Sequence, residues 1–120
     1  MNFNDNLPIY IQIMNLLTKR IISGELKGGE KLPSVRELST ELKVNPNTIQ
    51  RSYQELEREG VVYTQRGMGT FVSEDRKILN ELKQNTASSI ITHFMQDMSS
   101  LGFSKEEIIG LIQDMAKEIK

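Results

Sequence analysis

The chain has 120 residues, 38% of them hydrophobic, and a formal net charge of -1 at pH 7, so we expect one domain with a modest core and a smaller appended region. It has no cysteine, which excludes disulfides, thiolate metal sites and cysteine nucleophiles. No apolar run approaches the roughly 18 residues that span a bilayer, and the N-terminus is polar rather than signal-like, so we expect a cytoplasmic protein without a membrane partner.

The first predicted element is a helix over residues 7–23, which ends at Gly24. Its apolar residues at helical spacing are Ile9, Ile13, Leu16, Leu17 and Ile21. We expect the apolar face of this helix to pack in the core, together with the Tyr10 side chain. A glycine-rich loop over residues 24–31 follows, and we expect Leu26 to be inserted under the fold.

Two helix starts then follow in quick succession, at Ser34 and Asn45. Ser34 can accept a hydrogen bond from the backbone N–H of Glu37 while the Glu37 carboxylate reaches back, which is the reciprocal capping box. Asn45 is a favoured N-cap residue, and Pro46 takes the first helical position, where a missing N–H costs nothing. The apolar faces are Val35, Leu38 and Leu42 in the first helix and Ile49, Tyr53 and Leu56 in the second. This pattern predicts a helix-turn-helix.

The second helix of this pair is predicted over residues 46–58 and is here called the recognition helix. Its outward side chains are Asn47, Thr48, Gln50, Arg51, Gln54, Glu55 and Arg58. Amides, hydroxyls and cations bond to base edges and phosphates, and the B-DNA major groove admits a helix of this size. An ordinary solvated face is the alternative for any one of these residues, but the whole set favours DNA binding.

Two β-rich runs, over residues 61–65 and 70–73, follow the recognition helix, which Gly60 closes. They are separated by the glycine-containing residues 66–69, so they predict a hairpin with a tight tip and, with the helices, a winged helix-turn-helix. A glycine at such a tip lets the backbone approach a groove or a phosphate closely, although turn chemistry alone also explains it. Arg66 beside the tip can enter an electronegative minor groove.

Charge alone does not identify a DNA-binding half, because residues 1–74 contain nine Lys/Arg and nine Asp/Glu. DNA binding then depends on whether the positive charges converge on one face. Arg36, Arg51 and Arg66 belong to the three elements predicted to meet DNA, whereas acidic residues gather toward the far end of the recognition helix. We expect modest non-specific affinity with a clear salt dependence.

The last part of the chain is predicted to form two helices, over residues 74–98 and 105–119. Ser104 and Glu107 make a second capping box at the start of the last helix. The apolar residues are Ile78, Leu79, Leu82, Ile90, Ile91, Phe94, Met95 and Met98 in the long helix and Ile108, Ile109, Leu111, Ile112, Met115 and Ile119 in the last. Two helices cannot bury this much apolar surface between themselves, so we expect an isologous homodimer.

The predicted fold is mainly α with a small β-hairpin: a winged helix-turn-helix followed by a two-helix C-terminal dimerisation region. The predicted domains are residues 1–73, which bind DNA, and residues 74–120, which dimerise. Twofold symmetry would present two recognition helices to an inverted repeat whose half-sites lie about 34 to 36 Å apart or a multiple of that.

Several motifs within residues 7–73 occur together in one known family. They include Pro8-Ile9-Tyr10, Ile22-Ser23-Gly24-Glu25-Leu26, Leu32-Pro33-Ser34-Val35-Arg36-Glu37-Leu38, Val44-Asn45-Pro46-Asn47-Thr48 and Gly67-Met68-Gly69-Thr70-Phe71-Val72. In this combination the chain resembles the GntR family of bacterial transcription regulators, and in particular its YtrA-like subfamily. The resemblance implies a sequence-specific repressor of double-stranded operator DNA, often for an ABC transporter operon, with C-terminal helices that dimerise.

DNA contacts are expected at the starts of the two helices of the helix-turn-helix and at the wing tip, as the family resemblance implies. The predicted DNA-binding residues are Ser34, Arg36, Asn45, Asn47, Thr48, Arg51, Arg66 and Gly67. No catalytic residue, metal ligand or cofactor is predicted.

Two other classes of function compete with DNA binding as interpretations of this sequence. An enzyme is not expected, because the single histidine, His93, has Asp97 four residues on but no third metal ligand nearby. The stronger alternative is a winged helix that binds only protein, since a fold alone does not imply function. A small-molecule effector bound between the C-terminal helices or at the dimer interface, in a cavity near Met95, Met98 and Met115, is a further possibility, although methionines more commonly serve as plain core filler.

Overall fold

The computed structural model describes residue 3 and residues 6–119 of the chain. Within that part, the helices are α1 (Ile9–Ile22), α2 (Val35–Leu42), α3 (Pro46–Arg58), α4 (Arg76–Ser100) and α5 (Lys105–Ala116), and the strands are β1 (Val62–Gln65) and β2 (Gly69–Val72). The predicted mainly α fold with a small antiparallel hairpin is confirmed. None of the described helices is long and apolar enough to cross a membrane.

The chain divides into two compact units, residues 1–83 and residues 84–120. The first unit contains α1 to α3, the hairpin and the first part of α4, and the second contains the rest of α4 and α5. The division at residue 73, between a DNA-binding and a dimerising part, concerns function and stays a prediction.

Both predicted capping boxes are present. The Ser34 hydroxyl accepts a hydrogen bond from the Glu37 N–H at 3.0 Å, and the Ser34 N–H donates to Glu37 Oε1 at 3.0 Å. Ser104 and Glu107 repeat this arrangement at the start of α5. In both pairs the serine backbone N–H, followed by the serine hydroxyl, lowers the pKa of the glutamate, because these bonds favour its ionised form.

The long helix α4 differs from its predicted bounds at both ends. It begins at Arg76 because Asp75 caps it, with Oδ1 accepting a hydrogen bond from the Lys77 N–H at 3.0 Å. It continues to Ser100, two residues into the predicted break, and the turn comes at Gly102 with a φ of +93°.

The core of the first unit lies where α1, α2, α3 and the hairpin meet. Its buried side chains are Ile13, Leu17, Ile21, Leu32, Leu38, Ile49, Tyr53, Leu56, Val61, Val62 and Val72. The half-buried Leu26 packs against them, as expected for the connector. The prediction that Ile9 belongs to the core is wrong: Ile9 is 44% exposed, because it is the first residue of α1 and lies at the margin of the core.

The connector between α1 and α2 is more than a loop. Lys31 forms an antiparallel bridge with Phe71 of β2, and the Leu32 N–H donates to the Thr70 carbonyl at 2.8 Å. The segment that enters α2 is therefore hydrogen-bonded to β2, which fixes the wing relative to the helix-turn-helix.

The second unit leaves much of its apolar surface uncovered. Ile108 is buried, with 1% of its surface exposed. The exposed large apolar residues of this unit are Ile90, Ile91, Phe94, Leu101, Ile109, Leu111, Ile112, Met115 and Ile119. Leu79 and Leu82, near the start of α4, pack instead against the core of the first unit. The apolar residues of α4 therefore pack against the core near the start of the helix and are mostly exposed farther along it.

Candidate nucleic-acid interface

Asn45 and Pro46 define the start of α3, the recognition helix. The Asn45 Oδ1 accepts a hydrogen bond from the Asn47 N–H at 2.8 Å, and Pro46 is the first helical residue. The turn before it uses Lys43 in the left-handed conformation, with a φ of +56°. The Asn45 oxygen is therefore engaged in the cap, whereas the cap does not use the NH2 group of its amide.

Two buried hydroxyl groups fix α3 to the elements around it. The Tyr53 hydroxyl donates to the Pro33 carbonyl at 2.6 Å, just before the start of α2. The fully buried Ser52 has its Oγ 2.9 Å from the Tyr10 carbonyl oxygen and 3.1 Å from that of Thr48. Burial raises the pKa of Tyr53, so its phenol stays protonated and keeps donating at neutral pH.

Neither hydroxyl contact emerged from the sequence. Ser52 lies between Ile49 and Leu56 on the apolar face of α3, and a polar residue on such a face is a recognisable signal of a buried hydrogen bond. Its partner, the Tyr10 carbonyl, lies 42 residues earlier in the chain, and no local pattern identifies it.

The predicted DNA-binding residues lie at the surface of the first unit. Exposed members are Ser34, Arg36, Asn45, Asn47, Arg51, Arg66 and Gly67, and Thr48 is half-buried. The Ser34 hydroxyl oxygen accepts a hydrogen bond from the Glu37 N–H in the cap of α2. The side chains thus offer mostly hydrogen-bond donors and positive charge to a partner.

The arginines fall into two groups according to their neighbours. Arg20 pairs with Glu41 at 3.5 Å, and Arg58 pairs with Glu55 at 3.3 Å. Within the described residues, no ion pair forms at the three arginines of the predicted site, Arg36, Arg51 and Arg66. Their charges are therefore not neutralised by described carboxylates and can meet phosphates or base edges.

Arg51 has an aromatic neighbour in place of a carboxylate. Its guanidinium carbon lies 3.8 Å from the centre of the Tyr10 ring, within the range of a cation–π contact. Tyr10 was expected to pack in the core, but its ring is only half-buried and carries this cation.

The wing is a tight hairpin in which Gln65 lies opposite Gly69. The Met68 N–H donates to the Gln65 carbonyl at 2.9 Å and closes the turn. Gly67 has a φ of +78°, and no heavy atom lies within 4 Å of where its Cβ would be. The tip therefore presents an open backbone at Gly67 next to the exposed Arg66, the combination predicted for a groove contact.

Two further residues hold the wing. The Thr64 N–H donates to Glu57 Oε2 at 2.8 Å, which ties β1 to α3. A Cβ built at Gly69 would lie 2.6 Å from Lys31 Cε, so the lysine stem crosses the hairpin at this glycine. The sequence did not predict either of these contacts with the hairpin.

The second unit has a cavity of its own, with a volume of about 720 Å³. It is lined by Met95, Gln96, Ser99, Ser100, Phe103, Ser104, Lys105 and Ile108. Met95 was expected near an effector cavity and lines this one, whereas Met98 and Met115 are not among its lining residues.

His93 is exposed, and its Nδ1 lies 2.9 Å from the Ser89 carbonyl oxygen, one helical turn earlier. Among the described residues, no group of three His, Asp or Glu side chains is placed to hold a metal ion.

Comparisons with known proteins agree with this arrangement. The profile of the family described as "Bacterial regulatory proteins, gntR family" matches residues 9–72. The HTH-type transcriptional regulator YhcF of Bacillus subtilis is 47% identical over 107 residues, which cover 89% of this chain and 88% of that protein. The HTH-type transcriptional repressor YtrA of the same organism is 39% identical over 114 residues, which cover 94% of this chain and 88% of that protein.

Solved structures agree as well. A GntR family transcriptional regulator from Listeria monocytogenes has a TM-score of 0.86 at 43% identity, with 93% of this chain and 98% of that chain covered. The structure of AraR(DBD) in complex with operator ORR3 has a TM-score of 0.56 at 29% identity, with 61% and 88% covered. With a winged helix-turn-helix, three exposed arginines that pair with no described carboxylate, and these relatives, the chain belongs to the gntR family of bacterial regulatory proteins and is a DNA-binding transcriptional regulator.

Proposed function

We propose that this regulator is a repressor that acts in the cytoplasm and binds an inverted-repeat operator as a homodimer. One observation carries the DNA-binding part of the proposal. The start of α2, the recognition helix and the wing each present an exposed arginine that pairs with no described carboxylate. The name of the relative YtrA, a transcriptional repressor, supports the direction of regulation.

The contacts divide by chemistry between bases and backbone. The amides of Asn45 and Asn47 and the guanidinium of Arg51 stand at the first two turns of α3, where a recognition helix meets base edges. Arg36 and Ser34, at the start of α2, suit phosphate oxygens, and Thr48 and Gly67 allow close approach. Arg66 at the wing suits a narrow minor groove.

The proposed dimer interface is the exposed apolar surface of the second unit. Ile90, Ile91, Ile109 and Ile112 each expose 46% or more of their surface. An apolar surface of this size on a small unit is best covered by its own copy, which also supplies the second recognition helix that an inverted repeat requires.

The regulated genes and the inducing signal are proposed on different grounds. An ABC transporter operon as the target is what the resemblance to the YtrA-like subfamily implies. A small-molecule effector is proposed to bind in the cavity at Met95 and Phe103, whose volume of about 720 Å³ is within the range for ligand sites.

Metabolites that weaken operator binding by the native chain but not by Met95→Trp, which fills the cavity, would support this site. Equal weakening of both would refute it.

Selection of bound duplexes from a random DNA pool tests the proposal. The expected result is enrichment of an inverted repeat whose half-sites are about 34 to 36 Å apart or a multiple of that. Enrichment of a single half-site without symmetry would contradict the dimer. The selection is run without and with added metabolites. If no sequence is enriched in either case, specific DNA binding is contradicted and a protein-interaction module is favoured.

A further inference from the structure

Tyr10 is held by two successive residues of the recognition helix. The guanidinium carbon of Arg51 lies 3.8 Å from the centre of the Tyr10 ring. The next residue, Ser52, is fully buried, and its Oγ lies 2.9 Å from the Tyr10 carbonyl oxygen. The backbone of the first turn of α1 is thus fixed by Ser52, while its aromatic ring stands against the cation of Arg51.

This contact leaves the binding capacity of Arg51 intact. The five N–H donors of a guanidinium lie in its plane and point outward, so an aromatic ring against its face does not consume them. Arg51 remains exposed and forms no ion pair with a described residue. A freely rotating arginine loses side-chain entropy when it docks on DNA, and a ring that restricts it beforehand removes part of that cost.

We propose that Tyr10 is a positioning residue for DNA recognition, whose ring preorganises the Arg51 guanidinium for its contact with the operator. The inference rests on the proposed function, in which Arg51 contacts operator DNA. Tyr10 acts through Arg51, which makes the first turn of α1 part of the recognition machinery although it lies on another helix.

The test uses substitutions that separate the ring from the backbone link. Tyr10→Leu keeps an apolar side chain but removes the π face, and Tyr10→Phe keeps the ring. Neither changes the Tyr10 carbonyl that Ser52 contacts. We expect Tyr10→Leu to weaken binding of the selected duplex by about three- to tenfold and Tyr10→Phe by less than about twofold.

A double-mutant cycle shows whether the effect passes through Arg51. In an Arg51→Ala background, Tyr10→Leu should change affinity by less than about twofold. In an Arg58→Ala background it should keep its full effect, because Arg58 lies on the same helix but pairs with Glu55. An equal loss from Tyr10→Leu with and without Arg51 would overturn the inference and assign the ring to folding or to a DNA contact of its own.

A measurement without DNA tests the contact directly. The ring current of Tyr10 should shift the NMR resonances of the Arg51 δ protons upfield in the native chain and in Tyr10→Phe, and the shift should vanish in Tyr10→Leu. Its absence from the native chain would overturn the inference even if a variant fails to fold.

A native chain that does not prefer the selected duplex over a scrambled one refutes the proposed function. Unchanged affinity on Tyr10→Leu in a chain that does prefer it refutes the role of Tyr10 alone.

Discussion

At the scale of single residues, the neighbours of an arginine separate candidates for DNA contact better than exposure does. Arg51 and Arg58 are both exposed on α3. Arg58 is engaged with Glu55 at 3.3 Å, whereas Arg51 rests on an aromatic ring with its donors free. A phosphate would have to displace a carboxylate at Arg58 but nothing comparable at Arg51.

This difference predicts unequal effects of removing the two arginines. Arg51→Ala should cost about 1 to 3 kcal/mol of binding to the selected duplex if its guanidinium is bidentate on a base. If it contacts a phosphate, all sequences should weaken evenly and the salt slope should fall by about one. Arg58→Ala, the matched control, should change affinity by less than about 0.5 kcal/mol. Fluorescence-anisotropy titrations at several salt concentrations measure both quantities, and an Arg51→Ala variant unchanged in both would remove Arg51 from the site.

Tyr53 supports a second prediction at this scale, on stability rather than binding. Tyr53→Phe removes the hydroxyl that donates to the Pro33 carbonyl at 2.6 Å, so the free energy of unfolding at neutral pH should fall by about 1 to 2 kcal/mol. Urea unfolding followed by circular dichroism measures the change. No loss would mean that water replaces the hydroxyl without cost.

The same tyrosine fixes the sign of an alkaline pH dependence. Burial raises the pKa of Tyr53 in the folded chain, so folding favours the protonated phenol. Its contribution is fully present below the unfolded pKa of about 10 and is lost as pH rises toward the folded pKa. The stability difference between the native chain and Tyr53→Phe should therefore stay constant from about pH 7 to 9 and shrink above about pH 10. A difference that grows with pH would contradict this assignment.

At the scale of elements, we expect the stability of the wing to depend on Gly69 more than on Gly67. Gly69 has a φ of +121°, and a Cβ there would meet the Lys31 stem at 2.6 Å, whereas Gly67 has a φ of +78° and open space around it. Gly69→Ala should lower the free energy of unfolding by about 1 to 3 kcal/mol through backbone strain. Gly67→Asn, whose side chain tolerates the left-handed region, should change it much less. Thermal unfolding measures both variants. Equal losses of unfolding free energy would show that neither the φ of these glycines nor the space around them determines the stability of the hairpin.

The bounds of α3 were predictable from the sequence because its signals are local. Asn45, Pro46 and Gly60 act within a few residues of the helix ends, and the predicted residues 46–58 match the observed helix. The capping boxes and the hairpin have the same local character. The bonds that orient the elements were not predictable, because Ser52 meets a carbonyl 42 residues away and Lys31 meets a strand formed much later in the chain.

The exposed face of α3 was predictable in outline for the same reason. The periodicity of α3 identified which residues point outward, and the structure leaves the three predicted arginines without a described carboxylate partner. Which part of each side chain is free depends on neighbours in space. The cap occupies the Asn45 oxygen, and the Tyr10 ring stands against Arg51, and neither restriction follows from composition or spacing alone.

At the scale of the whole molecule, the apolar surface of the second unit predicts the oligomeric state. Ile112 on α5 is 46% exposed, and a charge there should disrupt a dimer built on this surface. Light scattering at micromolar protein should give twice the chain mass of 13.7 kDa for the native chain and the single mass for Ile112→Asp. Gln113→Asp, one residue along the same helix, should leave the mass unchanged. A native chain of single mass would contradict the proposed dimer.

The account as a whole depends on sequence-specific binding by the exposed face of α3 and the wing. The most direct test is the ratio of affinities of the native chain for the selected inverted repeat and for a scrambled duplex of the same length, in the same salt. We predict a ratio of about a thousandfold or more, as expected for a specific regulator. Equal affinities for the two duplexes, falling together with salt, would mean that the positive charges hold DNA without reading it and would contradict the proposed function.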